Sequence, residues 1–264
     1  MKKWVVCTIL CMMSLRVYAE ELRIWGSSEP PGNFMDEQGE FVGLSVDVVR
    51  EIQQRVGNTD TIEMVPWKRI YTTALKEPNI VFFSVARTPE REEKFHWITL
   101  MMRKPWAFYA RKGSGLHITS LDDAKKASAI GVQAGDIRDS WLQQQGFTNI
   151  DRVASHELNV AKLERKRVEL IFYSPQGMAH TCRASGYDCD LFEIVLVPHS
   201  SQSYLAMSKN GTSEEIVKQW QDAAQQMKAD GTFEQFAENW AAYTREKDGI
   251  ECEVKDGALN FWKE

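Results

Sequence analysis

Four consecutive large apolar residues, Ile80-Val81-Phe82-Phe83, constrain this chain most, because such a run suits a strand buried on both faces, and such strands belong to parallel sheets covered by helices. The flanking segments agree. Leu22-Arg23-Ile24-Trp25 and Ile62 to Val65 read as short strands. Val46, Val49, Ile52 and Val56 recur at helical spacing, and Trp67 to Lys76 reads as a second helix. Glu29-Pro30-Pro31-Gly32 is a tight loop that cannot continue the first strand. The order β-α-β-α-β is that of a doubly wound sheet. A second such unit begins near Leu121, with helices over 121–126, 137–145 and 157–166 and strands over 128–132, 168–173 and 194–197.

The joins between the units matter as much. Trp106 to Ala110 is an apolar strand leaving the first unit, followed by Lys112-Gly113-Ser114-Gly115 as a turn, and Ser203 to Met207 is a similar strand after the second unit. Two crossings make the first domain discontinuous and the second an insertion in it. Two long helices, 213–228 and 232–243, would pack back on the first domain, separated at Gly231 with Thr232 as an N-cap.

Residues 1–19 differ from the rest. Lys2 and Lys3 precede an apolar stretch from Trp4 to Leu15, and Val17-Tyr18-Ala19 supplies the small residues of a signal-peptidase site. This is expected to be a cleaved secretory signal, since the run is too short for a membrane span, and Leu10 before Cys11 does not suit a lipoprotein signal. The product is expected to be free in the periplasm. Without that segment 29 basic residues face 37 acidic ones, a net charge of −8, and no basic run tracks a phosphate backbone, so nucleic acid is excluded as a partner. Cys182, Cys189 and Cys252 remain; an oxidising compartment makes Cys182–Cys189 a plausible bridge and leaves Cys252 over. The five histidines show no metal-ligand spacing and read as surface or structural. No metal, cofactor or catalytic motif is expected, and the lack of a further apolar stripe favours a monomer.

Six ordered segments carry a resemblance: Glu29-Pro30-Pro31; Asp36-Glu37-Gln38-Gly39 with Val42-Gly43-Leu44-Ser45-Val46-Asp47; Arg87-Thr88-Pro89-Glu90-Arg91; Ser120-Leu121-Asp122-Asp123; Ile130-Gly131-Val132-Gln133-Ala134-Gly135; and Ala229-Asp230-Gly231-Thr232-Phe233. Together they resemble family 3 of the bacterial extracellular solute-binding proteins, the polar amino-acid receptors of ABC importers, over nearly all of the chain from residue 20 to Tyr243. The resemblance implies an α/β, type II periplasmic-binding-protein clamshell of two lobes, each a doubly wound, mostly parallel sheet, joined by two hinge strands. Lobe 1 would comprise 20–109 and 204–243, lobe 2 would be 110–203, and 244–264 would be a C-terminal extension. It also implies a small solute and a membrane permease as partners. The same fold carries a periplasmic cyclohexadienyl dehydratase and sensor partners of membrane receptors, which are the alternatives; for the enzyme, Glu29 is the one acid or base that can be placed in the cleft.

Carried over residue by residue, the resemblance places Arg91 where the family binds a ligand carboxylate, a task its planar fork of donors suits. Asp136, Ile137 and Arg138 fall where the second lobe offers a helix N-terminus to the same group. Asp136 would repel that group unless turned aside as the helix cap, and Arg138 either compensates or pairs with Asp136 or Asp139. Ser174 stands where amino-acid receptors keep an aspartate for the ammonium, so either Glu29 supplies that charge or the ligand has no α-amino group. Trp67 is a cleft wall or a core residue, and Arg87 an anion contact or a partner of Glu90 or Glu92. Tyr173 lines the cleft or covers the sheet end, Ala86 completes the set, and Asp47 holds loop architecture.

Overall fold

The structure, a computed structural model, describes residues 21–261; the expected signal segment, with Cys7 and Cys11, lies outside them. In chain order the elements are β1 (Arg23–Gly26), β2 (Phe34–Met35), β3 (Phe41–Val42), α1 (Leu44–Val56), β4 (Ile62–Met64), α2 (Trp67–Ala74), β5 (Ile80–Ala86), β6 (Phe95–Arg111), α3 (Leu121–Ala124), β7 (Ile130–Gln133), α4 (Ile137–Gln144), β8 (Ile150–Val153), α5 (His156–Glu164), β9 (Leu170–Tyr173), α6 (Pro175–Ser185), β10 (Phe192–Ser208), α7 (Glu214–Ala229), α8 (Thr232–Asp248), β11 (Glu253–Lys255) and β12 (Ala258–Asn260). Ten strands pair into one continuous sheet whose main path runs β4-β1-β5-β10-β6-β9-β7-β8. Pairings β1/β4, β1/β5, β7/β8 and β7/β9 are parallel, as βαβ units require.

The apolar run in β5 is explained by its place between β1 and β10. Val81 and Phe83 point into one core, with Leu44, Val49 and Ile52 of α1 and Trp220 and Met227 of α7. Ile80 and Phe82 point into another, with Ile70 and Ala74 of α2. Successive side chains alternate between faces, so a strand roofed by helices on both sides has no polar position to spare. The second unit repeats the scheme: Phe108, Val132 and Phe172 face the α3/α4 side, whereas Tyr109, Ile171 and Tyr173 face α5 and α6. On α7, Val217, Trp220, Ala224 and Met227 form one buried stripe; truncating Trp220, which is 1% exposed, would cost about 3–5 kcal/mol.

The two units are joined by unusually long strands. β6 and β10 each run 17 residues and pair antiparallel along their whole length, from Phe192↔Arg111 to Ser208↔Phe95. Met101 and Met102 belong to the first unit's core and Trp106 and Phe108 to the second's, so the chain passes between units inside β6, several residues before Lys112-Gly113-Ser114-Gly115. Trp106, Phe108 and Tyr109, which the sequence reading assigns to lobe 1, thus pack in the second unit. Ladder irregularities in the β10/β6 pairing at Leu196/His199 and Ser203/Tyr204 flank the passage.

Other elements depart from the sequence expectation. β8, α6 and the β11/β12 hairpin were not anticipated. α8 continues past Tyr243 to Asp248, and its N-cap is Gly231, with φ 85°, rather than Thr232, whose backbone N–H donates to Asp230 Oδ1 at 3.0 Å. Cys182 and Cys189 are bridged across the end of α6, with Cα atoms 5.6 Å apart, and Cys252 is free and buried.

Candidate functional site

A cleft of about 670 Å³ opens between the units. Its first wall begins with Glu29, in the loop after β1. Glu29 N–H donates to Asn33 O at 2.7 Å and Gly32 N–H to Glu29 O at 3.0 Å, closing the loop. The first turn of α1 grips the loop in turn, Leu44 N–H donating to Pro31 O and Ser45 N–H to Gly32 O at 2.8 Å. Gly43 makes this approach possible: its φ is 132°, and a Cβ there would lie 2.2 Å from Gly32 O. Arg91 follows the turn after β5, its N–H donating to Thr88 O at 2.9 Å. Lys104 projects from β6 where that strand passes between units.

The second wall is built from helix N-termini. Asp136 is the N-cap of α4 and accepts Arg138 N–H at 2.8 Å. The Arg138 guanidinium returns to the same carboxylate, Nε to Oδ1 at 2.9 Å and NH2 to Oδ2 at 2.6 Å. It also reaches across the cleft to Glu29 Oε2 at 3.2 Å and lies 5.0 Å above the Tyr173 ring. His156, the first residue of α5, stacks on Tyr173 with centroids 3.8 Å apart, its Nε2 3.2 Å from Arg138 NH2. Lys104 Nζ completes the chain with a 2.8 Å bond to Glu29 Oε1.

This network is buried: Lys104 and Arg138 are each 3% exposed. Burial pushes the Glu29 and Asp136 carboxyls up, but the cations outweigh it: Lys104 and Arg138 hold Glu29 below its ordinary range, and Arg138 with His156 holds Asp136 well below. Burial lowers the His156 pKa and Arg138 lowers it further, against the opposing pull of Asp136 and Glu29. Arg138 itself is pushed up, Asp136 and Glu29 overcoming its desolvation. Glu29, Asp136 and His156 could offer three ligand atoms within 4.8 Å of one another. The guanidinium and ammonium among them already occupy the carboxylates, so the cluster reads as an ion-pair network rather than a cation site.

Arg91 stands apart. It is 7% exposed, its NH1 donates to Ala86 O at 3.2 Å, and its guanidinium lies 5.4 Å from the Trp67 ring and 5.1 Å from that of Tyr71. Among the described residues no carboxylate lies within ion-pair distance of it. Burial lowers its pKa, though arginine remains charged at any working pH. A buried cation lining a cleft without an ion-pair partner of its own, its burial only partly offset by the more distant charges of Asp136 and Glu90, favours an anion beside it.

Of the residues singled out from the sequence, Glu29, Trp67, Ala86, Arg91, Asp136, Ile137, Arg138 and Tyr173 line the cleft. Ser174 does not: it is fully buried, and its Oγ caps α6 by accepting Gly177 N–H. Arg87 lies outside the lining; its Nε donates to Glu92 at 2.8 Å, and it sits over Trp97 and Tyr204. Asp47 accepts Trp240 Nε1–H at 2.7 Å, tying α1 to α8. Lys104 and His156 were missed; both have their chemistry only through partners distant in sequence, although His156 at the start of an expected helix was a weak signal. His180 of α6, which also lines the cleft, meets Phe34 edge-on at 4.6 Å, and Arg183 pairs with Asp248 of α8.

Two units sharing a pair of long crossing strands, with polar groups of both meeting in the cleft between them, define a two-lobed binding protein of the type II periplasmic class. The chain belongs to the bacterial extracellular solute-binding proteins, family 3, whose model matches residues 22–243. An arginine-binding periplasmic protein of Mannheimia haemolytica is 22% identical over 243 residues, covering 91% of this chain and 98% of that one. Among solved structures, a histidine kinase sensor domain with similarity to periplasmic binding proteins superposes with TM-score 0.73 at 14% identity, over 83% of this chain and 95% of that one. An ancestral amino acid-binding protein described as a precursor of cyclohexadienyl dehydratase does so with TM-score 0.69 at 18% identity, over 83% and 94%. Among the described residues no helix is long and apolar enough to cross a membrane.

Proposed function

We propose that the protein is a periplasmic receptor, exported by the segment 1–19, whose lobes close as a monomer on a small carboxylate-bearing solute and deliver it to an ABC-type permease. The first lobe comprises the chain before and after the crossings in β6 and β10, and the second the segment between them. The observation that carries the reading is Arg91, a buried guanidinium without an ion-pair partner in the interlobe cleft. The relative from Mannheimia, named for binding arginine, supports a ligand of this size and a carboxylate on it.

The dehydratase alternative needs a proton donor in the cleft. Glu29 is held ionised by Lys104 and Arg138, and Asp136 by Arg138, so neither carries a proton near neutral pH. This removes the two carboxyls as proton donors, while the receptor reading rests on Arg91. The reading is tested with Arg91→Ala. A charge-assisted hydrogen bond contributes roughly 1.5–3 kcal/mol, so titration calorimetry with a solute found by thermal shift should show at least tenfold weaker binding. Unchanged affinity would remove Arg91 as the carboxylate partner.

A further inference from the structure

We propose that the solute is a monoanionic organic acid with no ammonium group, of the 2-hydroxy or 2-oxo carboxylic acid class; this rests on the reading of Arg91 as the carboxylate partner. The ground is the charge balance of the cleft. Five buried or largely buried ionised groups line it, the carboxylates of Glu29 and Asp136 against the cations of Arg91, Lys104 and Arg138. Both carboxylates are already engaged by protein cations: Glu29 holds Lys104 on one oxygen and Arg138 on the other, and Asp136 meets Arg138 with both. The balance leaves one positive charge, at Arg91. A solute with a single negative charge neutralises the set.

A zwitterionic amino acid would satisfy Arg91 and leave its ammonium without an anionic acceptor. Placed against Glu29, that ammonium would stand beside Lys104 and Arg138, three cations around one carboxylate, and like charges at such distances in a poorly hydrated site repel strongly. Against Asp136 it would compete with both bonds from Arg138. The third acidic lining residue, Glu157, is exposed in the first turn of α5, where water screens it. A neutral α-oxygen meets no such obstacle, because Ser27, Ser28 and Ser203 line the same cleft with hydroxyls that donate or accept. Trp67, Trp106 and Tyr173 give it apolar walls for the rest of the molecule.

Matched sets decide the question: phenylalanine with phenyllactate and phenylpyruvate, leucine with its 2-hydroxy and 2-oxo analogues, and alanine with lactate and pyruvate, titrated calorimetrically into the full chain and into Arg91→Ala. The expected result is a hydroxy or oxo acid binding at least tenfold more tightly than its amino-acid counterpart, with Arg91→Ala weakening it at least tenfold. In Lys104→Met, where one Glu29 oxygen is released, that preference should narrow. If an amino acid binds as tightly as its analogues or more so, while Arg91→Ala still abolishes binding, the ligand class is overturned and the carboxylate reading stands. If the analogue is preferred and Arg91→Ala binds it unchanged, the carboxylate reading falls instead. Failure of every acid in the panel to bind overturns both.

Discussion

Replacing Glu29 by glutamine and Lys104 by methionine, singly and together, should give three unequal losses of stability, and the inequality follows from the geometry. Glu29→Gln leaves Lys104, whose side chain is 4% exposed, with no carboxylate in reach, whereas Arg138 keeps Asp136. Removing one partner of a buried pair costs roughly 3–5 kcal/mol, and the 15% exposure of the Glu29 side chain puts this case at the lower end, about 3 kcal/mol. Lys104→Met leaves Glu29 still bonded to Arg138 at 3.2 Å, so its cost should be about 1 kcal/mol. In the double variant no charge is stranded, and the loss should return to about 1 kcal/mol, a coupling of about 3 kcal/mol. For a chain of this size that places Glu29→Gln roughly 6–12 °C below wild type in Tm and the other two within about 4 °C. Thermal melts followed by circular dichroism at low ionic strength would measure all three. Equal losses for the single variants, or a double variant that falls by their sum, would refute the idea that Lys104 depends on Glu29 for its charge compensation.

Two further outcomes follow from His180, at the cleft lining, and from the cysteines. His180 is lowered from 6.5 to about 4 by burial and by Arg183; the unfolded chain therefore takes up that proton first, and the stability from His180 is complete above about pH 6.5 and lost as pH falls towards 4. Discounted for partial exposure the loss is about 1–2 kcal/mol, and His180→Gln should flatten the Tm-versus-pH curve by that amount, while an unaltered slope would count against the assignment. Burial pushes the Cys252 thiol up to about 11, so native protein should resist iodoacetamide at pH 8 and react at Cys252 once urea is added; non-reducing peptide mapping should find Cys182 joined to Cys189, and a linkage to Cys252 would contradict this arrangement.

The parts of the fold legible in the sequence were those whose burial is uniform. Ile80 to Phe83 announces a strand covered on both faces without knowledge of its neighbours, and the spacing of Val46, Val49 and Ile52 announces α1. β8 was hidden because Ile150-Asp151-Arg152-Val153 lies at the sheet edge with only Val153 buried, which leaves no run or alternation to detect. α6 was hidden for another reason: Ser174 falls at a family ligand position, although Ser-Pro is a proper helix start, the serine as N-cap and the proline at N1. In the tail, Asp256-Gly257 is a hairpin signal; both residues have positive φ, 49° and 63°, as such a turn requires. Within the site, Arg91 and Asp136 could be placed by motif. Lys104 could not, since its partner lies 75 residues away, and the bond from Arg138 to Glu29 spans 109.

The hairpin after α8 has a consequence for the sheet as a physical object. β6 is bordered by β10 along its full length, but on its other side β9 covers only Ala107 to Tyr109. The gap is filled by β12, which pairs in parallel with Met102 and Arg103, by Phe261 N–H donating to Arg103 O at 3.0 Å, and by Arg103 NH1 donating back to Lys255 O. A chain ended at residue 243, where the family match stops, would bare unpaired backbone at Met102 and Arg103, a short edge of the kind that can accept a further strand. The segment beyond the family boundary thus supplies the backbone partners that the middle of β6 would otherwise lack, and it does so on the strand that runs through both lobes.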